Sequence, residues 1–171
     1  MGHKTDPFSA LKSGDLRTVG KAAAVLGWIE REPALIDEII AALPTPDEAL
    51  NLRLMDVLEK HAARHPEFYR PHVGVFLGRI GQAPQKEIRW HVARLLRHVR
   101  LSTRQAAKAR MLMKSYLADQ SRIVQAEAAE TYYRLTAPDD RPRAMGELAT
   151  HAKTASPAFR ARLRKIASRH A

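Results

Sequence analysis

Cysteine is absent from the 171-residue chain. That excludes disulfides, thiol catalysis, iron–sulfur clusters and Cys-ligated zinc. No apolar run approaches the roughly 20 residues that a membrane span needs. The N-terminus, Met1-Gly2-His3-Lys4-Thr5-Asp6, lacks the apolar core of a signal peptide, and Asp6 stands where a myristoylation signal needs Ser or Thr. The expectation is a cytoplasmic protein without a membrane span. Aromatic residues are sparse at 6%. No glycine-rich phosphate loop, aromatic RNA-binding motif or cofactor fingerprint occurs, so no cofactor is expected.

Alanine is abundant, and prolines fall between apolar segments. Hydrophobic residues make up 45% of the chain, enough to bury a core without covalent staples. The pattern predicts an all-α protein. It also repeats. An eight-residue unit with apolar residues at its first, fifth and usually eighth slots starts at Val19, Leu50, Ile88, Val124 and Phe159. Those slots share one helix face. The fifth slot holds Ala23, Leu54, Val92, Ala128 and Leu163.

Second helical segments lie between the units, over 33–43, 66–80, 102–118 and 140–153, each with the 3.6-residue period of a one-sided helix. Thr45-Pro46-Asp47-Glu48 and Ser102-Thr103-Arg104-Gln105 read as capping boxes. Asp15 and Ser121 read as N-caps, and Pro84 and Pro157 as helix starts. Pro71 requires the 66–80 segment either to kink or to begin there.

Helix pairs repeating every 35–40 residues or so describe an α-solenoid. The apolar-Arg-x-x-apolar-Ala pattern of Ile88-Arg89-Trp90-His91-Val92-Ala93 resembles a HEAT-like repeat. Val124–Ala129 and Val19–Ala24 follow it with the Arg replaced. The resemblance covers roughly residues 15–171. It implies a right-handed α-solenoid of about five antiparallel helix pairs, a single domain over 1–171, with 1–14 a loosely ordered N-terminal segment. It further implies that the second helix of each pair lines a concave surface.

Slots three, seven and ten of each unit lie opposite the first and are expected to face outward. They hold Lys21, Val25 and Trp28; Leu52, Asp56 and Glu59; Trp90, Arg94 and Arg97; Ala126, Glu130 and Tyr133; and Ala161, Lys165 and Ser168. Trp90 between Arg94 and Arg97 can stack on a base or hold an aromatic or acidic group. Packing of Trp90 against the next repeat is the alternative. His91 and His98 flank that stripe. Trp28, Tyr133, Arg89 and Lys165 complete the candidate binding set.

Charge is uneven. Residues 1–85 carry a net of −1 and residues 86–171 a net of +12, and 20 of the 29 basic residues are Arg. A one-sided basic field suits an acidic protein, a nucleic acid or an anionic surface. The favoured function is a non-catalytic module binding an acidic protein or peptide through the basic face of its C-terminal repeats. The alternative is a DNA- or RNA-binding module.

An enzymatic reading rests on resemblance alone. HEAT-like alkylpurine DNA glycosylases place an Asp, an Arg and an aromatic on neighbouring repeats. Asp56, Arg94 and Tyr133 are similar in order, while Leu52 departs from the aromatic expected one turn before the Asp. Asp56 is thus the one weak catalytic candidate. His61 and His65 share a helix face without an acidic third ligand, and no metal site is expected.

Overall fold

The computed structural model describes residues 6–12, 21–152 and 155–170. Every regular element among them is helical and no strand occurs. In chain order the α-helices are α1 (Pro7–Lys12), α2 (Ala22–Arg31), α3 (Leu35–Ala42), α4 (Glu48–Arg64), α5 (Val73–Leu77), α6 (Lys86–Leu95), α7 (Thr103–Leu117), α8 (Arg122–Arg134), α9 (Arg141–Ala152) and α10 (Pro157–His170). Short 3-10 helices occupy Pro66–His72 and Pro138–Asp140. None of the described helices is long and apolar enough to cross a membrane.

Alternate helices touch in succession: α4 packs on α6, α6 on α8 and α8 on α10. The intervening helices pack alongside, α5 on α7, α7 on α8, and α9 on both α8 and α10. Buried apolar residues from Ala10 to Ile166 form one continuous cluster. In four of the five units the first and fifth slots supply it, as Leu50/Leu54, Ile88/Val92, Val124/Ala128 and Phe159/Leu163.

The first unit is turned. Asp15, Val19 and Gly20 lie outside the described residues. In α2 the buried residues are Ala22, Val25 and Ile29, whereas Ala23 and Ala24 are exposed. Burying a Val and an Ile removes more apolar area from water than burying two Ala, so the larger side chains set the face. Of the 1–14 segment, residues 6–12 are described. They form α1, whose Ala10 and Leu11 are buried and which contacts α2 and α4. Residues 1–5, 13 and 14 lie outside the description.

Helix starts follow their chemistry with some shifts. Ser102 and Gln105 close a reciprocal capping box on α7. Pro157 opens α10, and Ser156 Oγ accepts the N–H of Phe159 at 3.2 Å. Helix α4 instead starts at Glu48 with Asp47 as its cap, accepting from Leu50 N at 3.0 Å. Thr45 is drawn away by Asn51, whose fully buried amide bonds both its N–H and its C=O and then Gln85 at 2.5 Å. Pro84 lies just ahead of α6, which starts at Lys86 with Gln85 as its N-cap. Ser121 precedes α8 without a side-chain cap bond. Pro71 sits inside the 3-10 stretch, and the α-helix begins only at Val73, past the missing N–H.

Close approach governs one glycine. A Cβ on Gly81 would fall onto the carbonyl of Phe76 and within 2.9 Å of Leu112 Cδ2. The carbonyl of Gly81 also accepts the buried Tyr116 hydroxyl. Gly74 in α5 has open space around it. Gly81→Ala is therefore expected to cost about 2 kcal/mol or more in a urea melt. Gly74→Ala should be neutral or stabilising by up to about 1 kcal/mol. Equal effects at the two positions would contradict this packing.

Candidate functional site

The polar slots of the repeat units meet between neighbouring helices. Slot ten of α4 is Glu59, 4% exposed. It reaches slots four and seven of α6: His91 Nδ1 lies 2.9 Å from Glu59 Oε2, and Arg94 Nη2 lies 3.0 Å from Oε1. One repeat later the same slots meet with the signs reversed. Arg97 reaches Glu127, and its Nη1 lies 3.1 Å from Glu130 Oε2.

The second set is a clasp over α8, α10 and the turn after α6 that carries Arg97. Arg162 of α10 donates to both carboxylates, with its Nη2 2.9 Å from Glu127 Oε1. Arg134 Nη2 and Arg169 Nη1 both approach Glu130 Oε1, at 2.8 and 3.4 Å. The Glu127 and Glu130 side chains are 9% and 6% exposed, and that of Arg97 is 10% exposed. Those of Arg134 and Arg169 keep 45% and 55% of their surface. Burial would push the Glu130 carboxyl up, yet the Arg162 hydrogen bond and the fields of Arg97, Arg162 and Arg134 hold it below its ordinary value.

Slots seven and ten were expected to face outward. Val25, Glu59, Glu130 and Tyr133 are instead buried, and so is Ala126 in slot three. A helix with neighbours on two sides buries a wider arc than the one apolar stripe, so the seams between neighbouring helices take these positions.

Trp90 is half-buried against the core. Its ring stacks on His91 at 3.5 Å between centroids, and the Arg94 guanidinium sits 5.5 Å from its centroid. Arg94 keeps 41% exposure. Arg89 points elsewhere, to Asp119 at 2.7 Å and the carbonyls of Ala83 and Pro84. Trp28 is half-buried in α2. Tyr133 is buried, with the Arg141 guanidinium 5.6 Å from its ring centroid. Lys165 is exposed on α10, one turn before Arg169.

The three residues of the glycosylase-like order each have their own surroundings. Asp56 pairs with Lys60 at 2.7 Å, Arg94 pairs with Glu59, and Tyr133 lies under Arg141. His61 is buried with Nδ1 3.1 Å from the Tyr69 hydroxyl, and its ring lies 4.9 Å from that of His65. Among the described residues no group of three or more His, Cys, Asp or Glu is placed to hold a metal.

Residues missing from the sequence-based set are Glu59, Glu127, Glu130, Arg134, Arg162 and Arg169. The signal for them was present. Slot ten of one unit and slots four and seven of the next carry opposite charges at two successive junctions, and slot eleven reads Lys60, His98, Arg134 and Arg169. No family model, curated protein or solved structure matches the chain.

Glu130→Ala leaves the largely buried Arg97 and half-buried Arg162 with Glu127 as their one remaining carboxylate among the described residues and is expected to cost about 1.5–3 kcal/mol. Glu30→Ala breaks the surface pair with Arg64 and should cost no more than about 1 kcal/mol. Similar denaturation midpoints for the two variants would refute the clasp.

Acid sensitivity follows from the same seam. Burial pushes His91 below its ordinary value despite the hydrogen bond and charge of Glu59. Burial would raise Glu59, but the His91 hydrogen bond and Arg94 hold it down. The ionised carboxylate only accepts, so neutral His91 donates from Nδ1, and its buried Nε2 has no hydrogen-bond partner among the described residues. His61 and His98 are also depressed, chiefly by burial. A depressed histidine gives stability that is complete above its unfolded value of 6.5 and is lost as pH falls through that value toward the folded one. The depressed Glu59 and Glu130 add a second loss as pH falls through their own folded values, below 4.5. The urea midpoint should therefore drop between pH 7 and pH 5, and less so in His91→Asn, which keeps a donor for Glu59 but cannot titrate. A midpoint that is flat or rising on acidification would refute the neutral assignment.

Proposed function

We propose that the chain is a cytoplasmic HEAT-like α-solenoid serving as a non-catalytic interaction module for an acidic protein or peptide. The succession α4–α6–α8–α10 supports the solenoid reading, since stacked repeats bring every second helix into contact. One observation carries the binding reading. Arg94, Arg134 and Arg169 are each held by a buried carboxylate, yet keep roughly half of their surface open. An anchored guanidinium has already lost much of its rotamer freedom and offers its remaining N–H groups at reduced entropic cost. Guanidinium forks match carboxylates bidentately. Exposed Arg164 and Lys165 extend the basic surface along α10.

Nucleic acid is the second reading, favoured by the half-exposed Trp90 beside Arg94. Fluorescence anisotropy with a labelled oligo-glutamate peptide, a random DNA duplex and a single strand separates the two. The peptide should bind saturably, weaken with salt, and lose several-fold affinity in Arg94→Ala and in Lys165→Ala. Duplex or single strand binding more tightly than the peptide, with a steep salt slope, would replace this reading with the nucleic-acid one. No peptide binding at low salt would overturn it. Trp90→Ala with unchanged affinity would remove Trp90 from the surface.

A further inference from the structure

The clasp on α8 is unequal in charge. Four guanidinium groups, from Arg97, Arg134, Arg162 and Arg169, surround the two carboxylates of Glu127 and Glu130. Both carboxylates are buried and paired, so the cluster retains two positive charges. The excess is not evenly placed. Arg97 and Arg162 are occupied on the inner side by both acids. Arg134 and Arg169 each spend one N–H on the same oxygen, Glu130 Oε1, and make no other hydrogen bond to the described residues. Two half-exposed forks thus sit side by side with most of their donors unused. His98, in the turn after α6, is influenced by Arg97, Glu59, Arg134 and Arg94, and exposed Lys165 lies one turn before Arg169 on α10.

Two adjacent forks with a surplus of two charges suit one compact dianion better than a run of single charges. A phosphomonoester carries about −1.5 to −2 charge at neutral pH and three acceptor oxygens, whereas a phosphodiester carries a single charge. We infer that Arg134 and Arg169 form a receptor for a phosphomonoester, carried as phosphoserine or phosphothreonine within the acidic partner segment. The inference rests on the acidic-partner reading and names its anchoring group. Glu130 keeps Arg97 and Arg162 when the two outer arginines turn to the phosphate, so the clasp survives occupation.

The test compares a labelled glutamate-rich peptide holding one phosphoserine with its serine counterpart. The phosphopeptide should bind the wild-type protein about tenfold more tightly. That gain should vanish in the Arg134→Gln, Arg169→Gln double variant and persist in Arg143→Gln, whose 83%-exposed side chain pairs with Glu147 instead. Equal affinity of the two peptides would overturn the phosphate site while leaving the acidic-partner reading intact, and no binding of either would overturn both. A gain that survives in the double variant would overturn the assignment to these arginines. Orthophosphate binding as tightly as the phosphopeptide would overturn a peptide-borne ligand. Oligothymidylate displacing the phosphopeptide at equal phosphate would overturn the preference for a monoester.

A measurement on the wild-type protein guards against a variant that fails to fold. The phosphoserine advantage should grow as pH rises from about 5.5 to about 7, because the second phosphate ionisation lies near 6. Deprotonation of His98 acts in the opposite sense. A flat or falling advantage would overturn the dianion.

Discussion

A carboxylate taken out of water must find cations that compensate for its lost hydration, and in this protein that demand fixes how the later helices stack. Glu127 and Glu130 of α8 meet guanidinium groups from Arg97 in the turn after α6, from Arg134 of α8 itself, and from Arg162 and Arg169 of α10. Apolar contacts alone would tolerate a shift of one helix along its neighbour, because Ala, Val and Leu surfaces are similar from turn to turn. A one-turn shift is about 5.4 Å, far more than a charge-assisted hydrogen bond can stretch. The ion pairs therefore contribute register more than net stability, since the desolvation cost offsets most of their Coulombic gain.

The earlier junction solves the same problem with fewer charges. Glu59 draws a neutral His91 and Arg94 across from α6. Other arginines serve the backbone. Arg79 donates to the carbonyls of Ile40 and Leu43 at the end of α3, Arg110 to that of Leu135 after α8, and Arg53 to that of Leu11 in α1. These carbonyls are the ones a helix end leaves without an intrahelical partner. Much of the basic excess that composition assigns to the surface is thus spent holding helix to helix and closing helix ends.

The sequence made the helical class and most of the core legible, because a 3.6-residue apolar period survives whatever the neighbours are. Leu50, Ile88, Val124 and Phe159 all fall where that period puts them. The seam was harder to read. A helical wheel drawn from one apolar stripe assigns every other position to solvent, yet a stacked helix has two flanks as well as a face. Glu130 and Tyr133 look outward on the wheel and are buried in the fold. Only complementary charges in successive units, Glu59 against His91 and Arg94, then Arg97 against Glu127 and Glu130, could have revealed the flank. The first unit failed for a different reason: Ala23 and Ala24 are apolar without being large, and Val25 and Ile29 took the buried side.

The balance of charge along the seam also moves the centre of interest. Around Trp90 the charges cancel locally, since Arg94 faces Glu59 and Lys60 faces Asp56. His91, held neutral by burial, adds nothing. The aromatic stripe that stands out in the sequence is therefore close to electrically silent. The α8–α10 junction has no such cancellation. Its two acids are outnumbered by four arginines, and the surplus emerges at Arg134 and Arg169, next to the exposed Lys165. Field strength at a surface follows the uncompensated charge rather than the number of basic residues. Part of the +12 of the second half thus gathers at Arg134 and Arg169, on the same carboxylates that join α8 to α10.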